Sequence, residues 1–214
     1  MTVLLPEADA TVLARRAEIV AVLRRLVSAD AVIDDVARMR PYESDALTAY
    51  RQLPLVVVLP ETTLQVAAVL RWCHENGVRV VPRGAGTSLS GGALPLGDAV
   101  LLVLSKFSRI LEIDAEDRLA VVQSGVANLA ISAAAEPHGL YYAPDPSSQI
   151  ACSIGGNVAE NSGGVHCLKY GLTTHNVLGV RLVTMEGEIV DLGGRAFASS
   201  GLDLLGVVVG SEGL

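Results

Sequence analysis

Positive charge is scarce in this 214-residue chain: 16 Lys and Arg stand against 23 Asp and Glu, a net charge of −7. That balance argues against nucleic acid or an anionic membrane as the main partner, since both are bound chiefly through basic side chains. A phosphate ligand would have to be held mostly by backbone groups. Cysteine is scarce too. Cys73, Cys152 and Cys167 are too few and too scattered for a disulfide framework, which agrees with a reducing compartment. Long apolar runs are missing, although 50% of the residues are hydrophobic and the mean hydropathy is +0.44. Runs such as 55–59 and 99–104 fall short of the roughly 20 residues a spanning helix needs, so the apolar content belongs in buried strands of a sizeable core. The first ten residues contain Pro6, Glu7 and Asp9, with neither a basic start nor a long apolar centre. No secretory signal is expected, and the expected location is cytoplasmic.

Val12, Ile19, Leu23 and Leu26 recur at helical spacing opposite Arg15, Arg16, Arg24 and Arg25. The pattern predicts an amphipathic helix over 11–29 with a solvated arginine face. Residues 1–39 form a helical extension on this reading, and 38–54 are loop and short turns. The run 55–59 reads as a strand. Thr62 can cap a helix over 63–75 whose shared face is Leu64, Ala67, Ala68 and Trp72, with Trp72 and Cys73 in the core. A second strand over 78–81 completes a right-handed βαβ unit. Further strands are expected at 99–104, 110–113 and 119–123, a helix at 126–137, and a hairpin from 177–184 and 188–192 about Met185, Glu186 and Gly187. The fold class is therefore α+β, a βαβ lobe to about Gly84 followed by a mostly antiparallel lobe. The apolar run 204–209 reads as a core strand leading into Gly210, Ser211, Glu212 and Gly213. Because a domain rarely stops there, the chain is expected to be the front part of a longer protein.

Glycine is in excess, 21 residues where average usage is about 7%, and it clusters. The first cluster, Pro82-Arg83-Gly84-Ala85-Gly86-Thr87-Ser88-Leu89-Ser90-Gly91-Gly92, follows the second strand. Such a loop lets successive N–H groups point into one concavity, an anion nest suited to pyrophosphate. It is neither a dinucleotide GxGxxG, which needs Gly where Leu89 stands, nor a P-loop, which needs Lys where Gly92 stands. The second cluster runs from Pro144-Asp145-Pro146-Ser147-Ser148 through Ser153-Ile154-Gly155-Gly156-Asn157-Val158-Ala159 to Gly163-Gly164. With no strand or helix period, it suggests backbone laid against a flat or extended ligand. A tight crossing of two segments would explain one Gly pair and not both.

PRGAGTSLSGGALP, YYAPDPSSQIACSIGGNVAENSGGVHCLKYGLT and GSEG, in that order, resemble the flavin-binding part of the FAD-linked oxidases of the vanillyl-alcohol oxidase and p-cresol methylhydroxylase superfamily. Within it the chain is most similar to the bacterial glycolate oxidase family, over roughly residues 40–214. The resemblance implies a two-lobed FAD-binding domain over 40–214, incomplete at its C-terminus. Pro82, Arg83, Gly84, Ala85, Gly86, Thr87, Ser88, Gly91 and Gly92 would wrap the pyrophosphate. Pro144, Asp145 and Ser148 would lie along the cofactor. Ser153, Gly155, Gly156, Asn157, Ala159 and Gly164 would line the ribityl and isoalloxazine side, and Glu212 the adenosine part. It further implies hydride transfer from a 2-hydroxy acid such as glycolate to flavin N5. Electrons would pass to a second flavoprotein subunit and an iron–sulfur subunit, with no membrane span in this chain and at most a peripheral place at the inner face of the membrane. The capping domain, absent here, is expected to supply the catalytic residues, so the fragment alone is expected to be inactive. Family members with covalent FAD commonly use a His in the first glycine loop; Thr87 and Ser88 make no such bond, so noncovalent FAD is expected, with Cys152 the one residue able to upset this. D-lactate, D-2-hydroxyglutarate or an enolpyruvyl sugar nucleotide are alternative substrates, and a flavin-binding module without turnover is the alternative of another class.

His166, Cys167, Cys152 and His175 match no compact metal-ligand spacing, so no metal is expected. Ser88 and Ser153 lack the G-x-S-x-G elbow of a hydrolase nucleophile.

Overall fold

The computed structural model describes residues 5–195 and 201–213. The chain divides into two compact units, the first ending at Lys106 and taking back Val183–Ile189, the second comprising Phe107–Leu182 and resuming at Val190.

The first unit is built on four strands, β1 (Val32–Ile33), β2 (Val56–Val58), β3 (Arg79–Arg83) and β4 (Ala99–Val103). Their order in the sheet is β1-β2-β4-β3. β1 runs antiparallel to β2, whereas β4 is parallel to both β2 and β3, so Val100 sits between Val56 and Val80. This places the boundary after the expected position near Gly84. β4 belongs to the parallel sheet and not to an antiparallel lobe. All five of its residues are buried; a strand covered on both faces carries no alternation, and its sequence does not say which sheet it joins. Leu101 is fully buried among Ile33, Met39, Val57, Val81 and Val103. Leu101→Ala is expected to cost about 2–5 kcal/mol, the range for leucine truncation in a core, read as a lowered urea midpoint.

The helix over Thr63–Glu75 (α4) begins where Thr62 Oγ1 accepts from the Gln65 N–H at 3.2 Å. Its buried residues are Val66, Ala67, Val69, Leu70 and Cys73. Leu64 is 74% exposed, so the inward face is rotated from the expected Leu64 stripe. Both stripes are apolar at helical spacing, and contact with the sheet selects between them. Burial pushes the Cys73 thiol up to about 12.

The expected N-terminal helix is two helices, α1 (Ala10–Ala14) and α2 (Arg16–Leu26), followed by a short α3 (Val36–Met39). Ile19, Val20 and Leu23 are the buried face of α2. The arginine face is only partly solvated. Arg15 Nη1 donates to the Asn76 carbonyl at 3.2 Å, and Arg16 donates to the carbonyls of Leu55 (3.1 Å) and Asp34 (2.6 Å).

In the second unit β5 (Ile110–Asp114) pairs antiparallel with β6 (Leu119–Val122). Three helices follow, α5 (Asn128–Ala135), α6 (Ile154–Glu160) and α7 (Cys167–Tyr170). Val126, Ile131 and Ile154 form its core. β7 (Gly179–Val183) and β8 (Ile189–Gly193) make the expected hairpin, turned at Gly187 with φ +76°. The run 204–209 is not a core strand. Leu204–Val208 is a helix, α8, started by Asp203, whose carboxylate accepts from the Gly206 N–H at 2.9 Å, and Leu204 and Val207 are exposed. A short apolar run fits helix and strand equally, and the Asp203 cap decides. No helix among the described residues is long and apolar enough to cross a membrane.

Candidate functional site: two glycine-rich cradles

The first cradle is the loop 84–92, leaving β3 in the first unit. Gly86 and Gly91 have φ of +72° and +86°, the left-handed region that lets neighbouring N–H groups turn to one side. Arg83, at the loop's root, is buried. Its Nη1 donates to the Ala93 carbonyl at 3.0 Å, tying the two ends of the loop together. Its guanidinium lies against Gly86, where an added Cβ would stand 2.5 Å from Cζ, and 5.9 Å from the Tyr42 ring centre. Burial lowers the Arg83 pKa, opposed by the Asp45 carboxylate and Tyr42. Asp45 is itself buried; Oδ1 accepts from the Leu47 N–H at 2.9 Å, while Oδ2 has no hydrogen-bond partner among the described residues. Arg83 therefore spends its side chain inside the loop, and the loop's outer face is left to backbone groups and small side chains. Of the other candidate residues, Pro82 is exposed on β3 opposite Leu102. Gly84, Thr87 and Ser88 are half-buried, Ala85 and Gly92 exposed, and Ser88 Oγ accepts from the Ser90 N–H at 3.1 Å.

The second cradle lies in the second unit. Its glycine segment is not without regular structure, since Ile154–Glu160 is helical. Nor is only one Gly pair explained by a crossing, because each pair stands at one. A Cβ on Gly155 would come within 2.8 Å of Ser124 Cβ, and a Cβ on Gly164 would overlap the Asp145 carbonyl. Gly163 is packed under Leu172. Gly156 is the less constrained member, its nearest neighbour being Ser153 Oγ at 3.4 Å. Pro144 and Ser148 give their carbonyls to the fold, Pro144 to Asn128 Nδ2 at 3.0 Å and Ser148 to the N–H groups of Ala151 and Cys152 at 2.8 Å each. Asp145 is turned onto His166, accepting from its backbone N–H at 3.1 Å. The GSEG turn docks on α6, Gly210 and Glu212 donating to the carbonyls of Val158 (2.9 Å) and Ala159 (2.8 Å). Glu212 itself has φ +57°.

Asn128 escaped the sequence reading. It is 1% exposed, and besides its bond to Pro144 its N–H donates to the Cys152 carbonyl at 3.0 Å, so one residue pins both ends of the segment 144–152. An amide residue opening a helix that is otherwise apolar except for Ser132 is the signal that could have found it. Tyr142, beside this core, has its hydroxyl pushed up to about 12 by burial.

Three buried polar atoms of this cradle, Ser153 Oγ, Asn157 Nδ2 and Asn128 Oδ1, have no hydrogen-bond partner among the described residues. Leaving such a group unpaired costs about 1–3 kcal/mol, so a ligand with a polar edge fits here. A pyrophosphate fits the positive-φ loop of the first cradle.

A family model described as an FAD binding domain matches residues 54–193. The chain belongs to this FAD-binding family. It is 55% identical over 210 residues to glycolate oxidase subunit GlcD of Escherichia coli, covering 98% of this chain and 41% of that one. It is 39% identical to D-lactate dehydrogenase of Anaerostipes hadrus, covering 89% of this chain and 39% of the relative. Alkyldihydroxyacetonephosphate synthase, a solved structure, superposes with a TM-score of 0.78 at 22% identity over 92% of this chain and 40% of that one, showing a shared fold. The chain spans about two fifths of the length of these proteins. The α+β class and the resemblance to FAD-linked oxidases are borne out, and FAD is the cofactor of this family's domain.

Proposed function

We propose that this chain is the FAD-binding part of an oxidoreductase acting on the CH–OH carbon of a 2-hydroxy acid, with glycolate oxidised to glyoxylate. The carrying observation is the 55% identity to a glycolate oxidase subunit along 98% of the chain. When bound, FAD supplies the acceptor for the substrate's hydride. The backbone of 84–92, with Gly86 and Gly91 in left-handed geometry, would hold the pyrophosphate. Ser153, Asn157 and Gly156 would meet the polar edge of the ring system, and the adenosine part would lie by Glu212. The rest of the FAD domain and the substrate cap would lie outside this chain, whose residues 40–214 contribute to the cofactor domain. Partner subunits, a second flavoprotein and an iron–sulfur protein, would carry the electrons away. A cytoplasmic location, peripheral to the membrane through those partners, goes with this reading.

The 39% identity to a D-lactate dehydrogenase supports a second reading in which the fold and cofactor stay and the acid changes to D-lactate or D-2-hydroxyglutarate. The test is anaerobic mixing of full-length protein with each acid. Glycolate is expected to bleach the flavin fastest, faster bleaching by another acid would move the assignment to it, and bleaching by none would overturn the proposal.

FAD is held noncovalently on this reading. The first loop carries Thr87 and Ser88 in place of a histidine, and Cys152 is buried. Acid precipitation of the full-length holoprotein is expected to release yellow flavin into the supernatant. Colour retained in the washed pellet would refute noncovalent attachment and point first to Cys152.

A further inference from the structure

One region of the second unit is apolar and uncovered. Leu168 is 98% exposed, Val165 85% and Ile150 79%, with Leu129, Tyr141 and Tyr170 well exposed beside them. A single exposed leucine is ordinary, whereas a group of neighbouring apolar side chains marks an interaction surface. These residues are neighbours. The Tyr141 and Tyr170 rings meet edge-on with centres 6.1 Å apart, and Tyr170 stands on the same turn of chain as Val165 and Leu168. Tyr141 also lines a groove of about 320 Å³ together with Leu129, Ser132, Ala133, Glu136 and Leu140. Ile150 adjoins that groove through Gln149, whose carbonyl accepts from the Leu129 N–H at 3.0 Å. The Lys169 ammonium lies 4.9 Å from the Tyr170 ring centre, folded onto the aromatic surface instead of standing away from it. The exposure is built into the fold. The Cys167 N–H donates to the Gly164 carbonyl at 3.2 Å, and those of Lys169 and Tyr170 to the His166 carbonyl at 3.1 and 3.0 Å. Asn176 Nδ2 holds the carbonyls of Tyr170 (3.1 Å) and Leu172 (2.9 Å). The turn is thus fixed by its own hydrogen bonds while its aliphatic side chains face outward.

We propose that this region is the seat of the polypeptide that follows Leu214 in the full-length protein, an interface within one chain. The inference rests on that part of the proposed function which places more of the protein outside these residues. More than half the length of each relative has no counterpart in this chain, so a large segment has to be seated somewhere. The GSEG turn is already in the second unit, bound to α6 through the Val158 and Ala159 carbonyls. From α6 the chain passes into the exposed turn, and Asn161, Ser162, Thr173 and Thr174 tie the two together. Asn161 Oδ1 accepts from the Thr174 N–H at 3.0 Å, and the Ser162 carbonyl accepts from Thr173 Oγ1 at 2.7 Å. A segment continuing from that turn starts beside the apolar region, and its covalent link holds it there at high effective concentration. The character of the region agrees, since apolar surfaces of this kind resemble a core cut in two more than the mixed surface of a transient contact. The flavin is a poorer occupant. Val165, Leu168 and Ile150 offer it no polar group, whereas the unpaired polar atoms of the cradle are on Asn128, Ser153 and Asn157.

The test places a benzoyl-phenylalanine photo-crosslinker at position 168 of full-length, FAD-loaded protein purified without other subunits. After irradiation the products are mapped by mass spectrometry. The expected product is an intramolecular crosslink to a peptide beyond residue 214. Crosslinks confined to residues 1–214, to the flavin or to a second copy would overturn the proposal. So would the absence of any crosslink, and capture of a different polypeptide in cells would then assign the region to a partner subunit. Should that variant be insoluble, the same probe at position 165 decides. As a second measurement, Leu168→Asp is expected to lower the apparent Tm of the full-length protein by about 4 °C or more, a charge having been placed in an apolar contact. An unchanged Tm, the usual result at an open surface position, would equally overturn the proposal. Neither readout needs turnover. A holoprotein that no 2-hydroxy acid reduces would overturn the functional reading and leave the crosslink standing.

Discussion

Gly86→Val in the full-length protein is expected to abolish FAD retention, read as the ratio of flavin to protein absorbance after purification. Gly86 has φ +72°, and a β-branched residue is a genuine outlier there. Steric overlap adds to this backbone strain. A Cβ at this position would stand 2.5 Å from Arg83 Cζ, and Arg83 is buried with its Nη1 closing the loop on the Ala93 carbonyl. The guanidinium must then leave its bond or the loop must open, and either change turns the N–H groups of the nest away from a common anion. Gly139→Ala separates strain from clash, because Gly139 also has positive φ, +69°, but a Cβ there meets nothing within 4 Å. That variant is expected to keep its flavin. Normal flavin content in Gly86→Val would remove the pyrophosphate role of the loop.

Gly164→Ala is expected to lower both stability and flavin content. The added methyl would overlap the Asp145 carbonyl, so backbone and not a flexible side chain has to move. Overpacking of this kind costs about 1–3 kcal/mol, with larger values where nothing can yield. Any displacement of Asp145 also pulls its carboxylate from His166, 2.9 Å away. Gly194→Ala, where a Cβ finds open space, is the matched control and is expected to stay within about 0.5 kcal/mol of wild-type stability, read from the urea midpoint. Equal midpoints for the two variants would show that the 163–164 turn does not pack on Asp145.

Several elements were legible because their signals are local. The helix over Thr63–Glu75 carries its own cap in Thr62, and the hairpin of β7 and β8 carries its turn in Gly187. The glycine segment of the second cradle was only half legible. Its density marked close approach, but Gly155 and Gly164 approach Ser124 and Asp145 of this same chain, partners that no spacing rule reveals. Asn128 was missed for a related reason, since its value lies in two bonds to residues 16 and 24 positions further on, Pro144 and Cys152.

By itself the sequence determined that this is an α+β chain with a glycine nest after a strand and three ordered motifs of an FAD-binding domain, because composition, caps, turns and motif order are properties of neighbouring residues. Only the tertiary structure decided that β4 enters the parallel sheet between β2 and β3, that α4 turns Val66 and Val69 inward and Leu64 outward, and that residues 204–208 are helical. It also decided that Arg83 closes its loop from within and that Asp145 holds His166. Each of these is a choice among locally equivalent arrangements, settled by burial and hydrogen bonds between residues far apart in the chain.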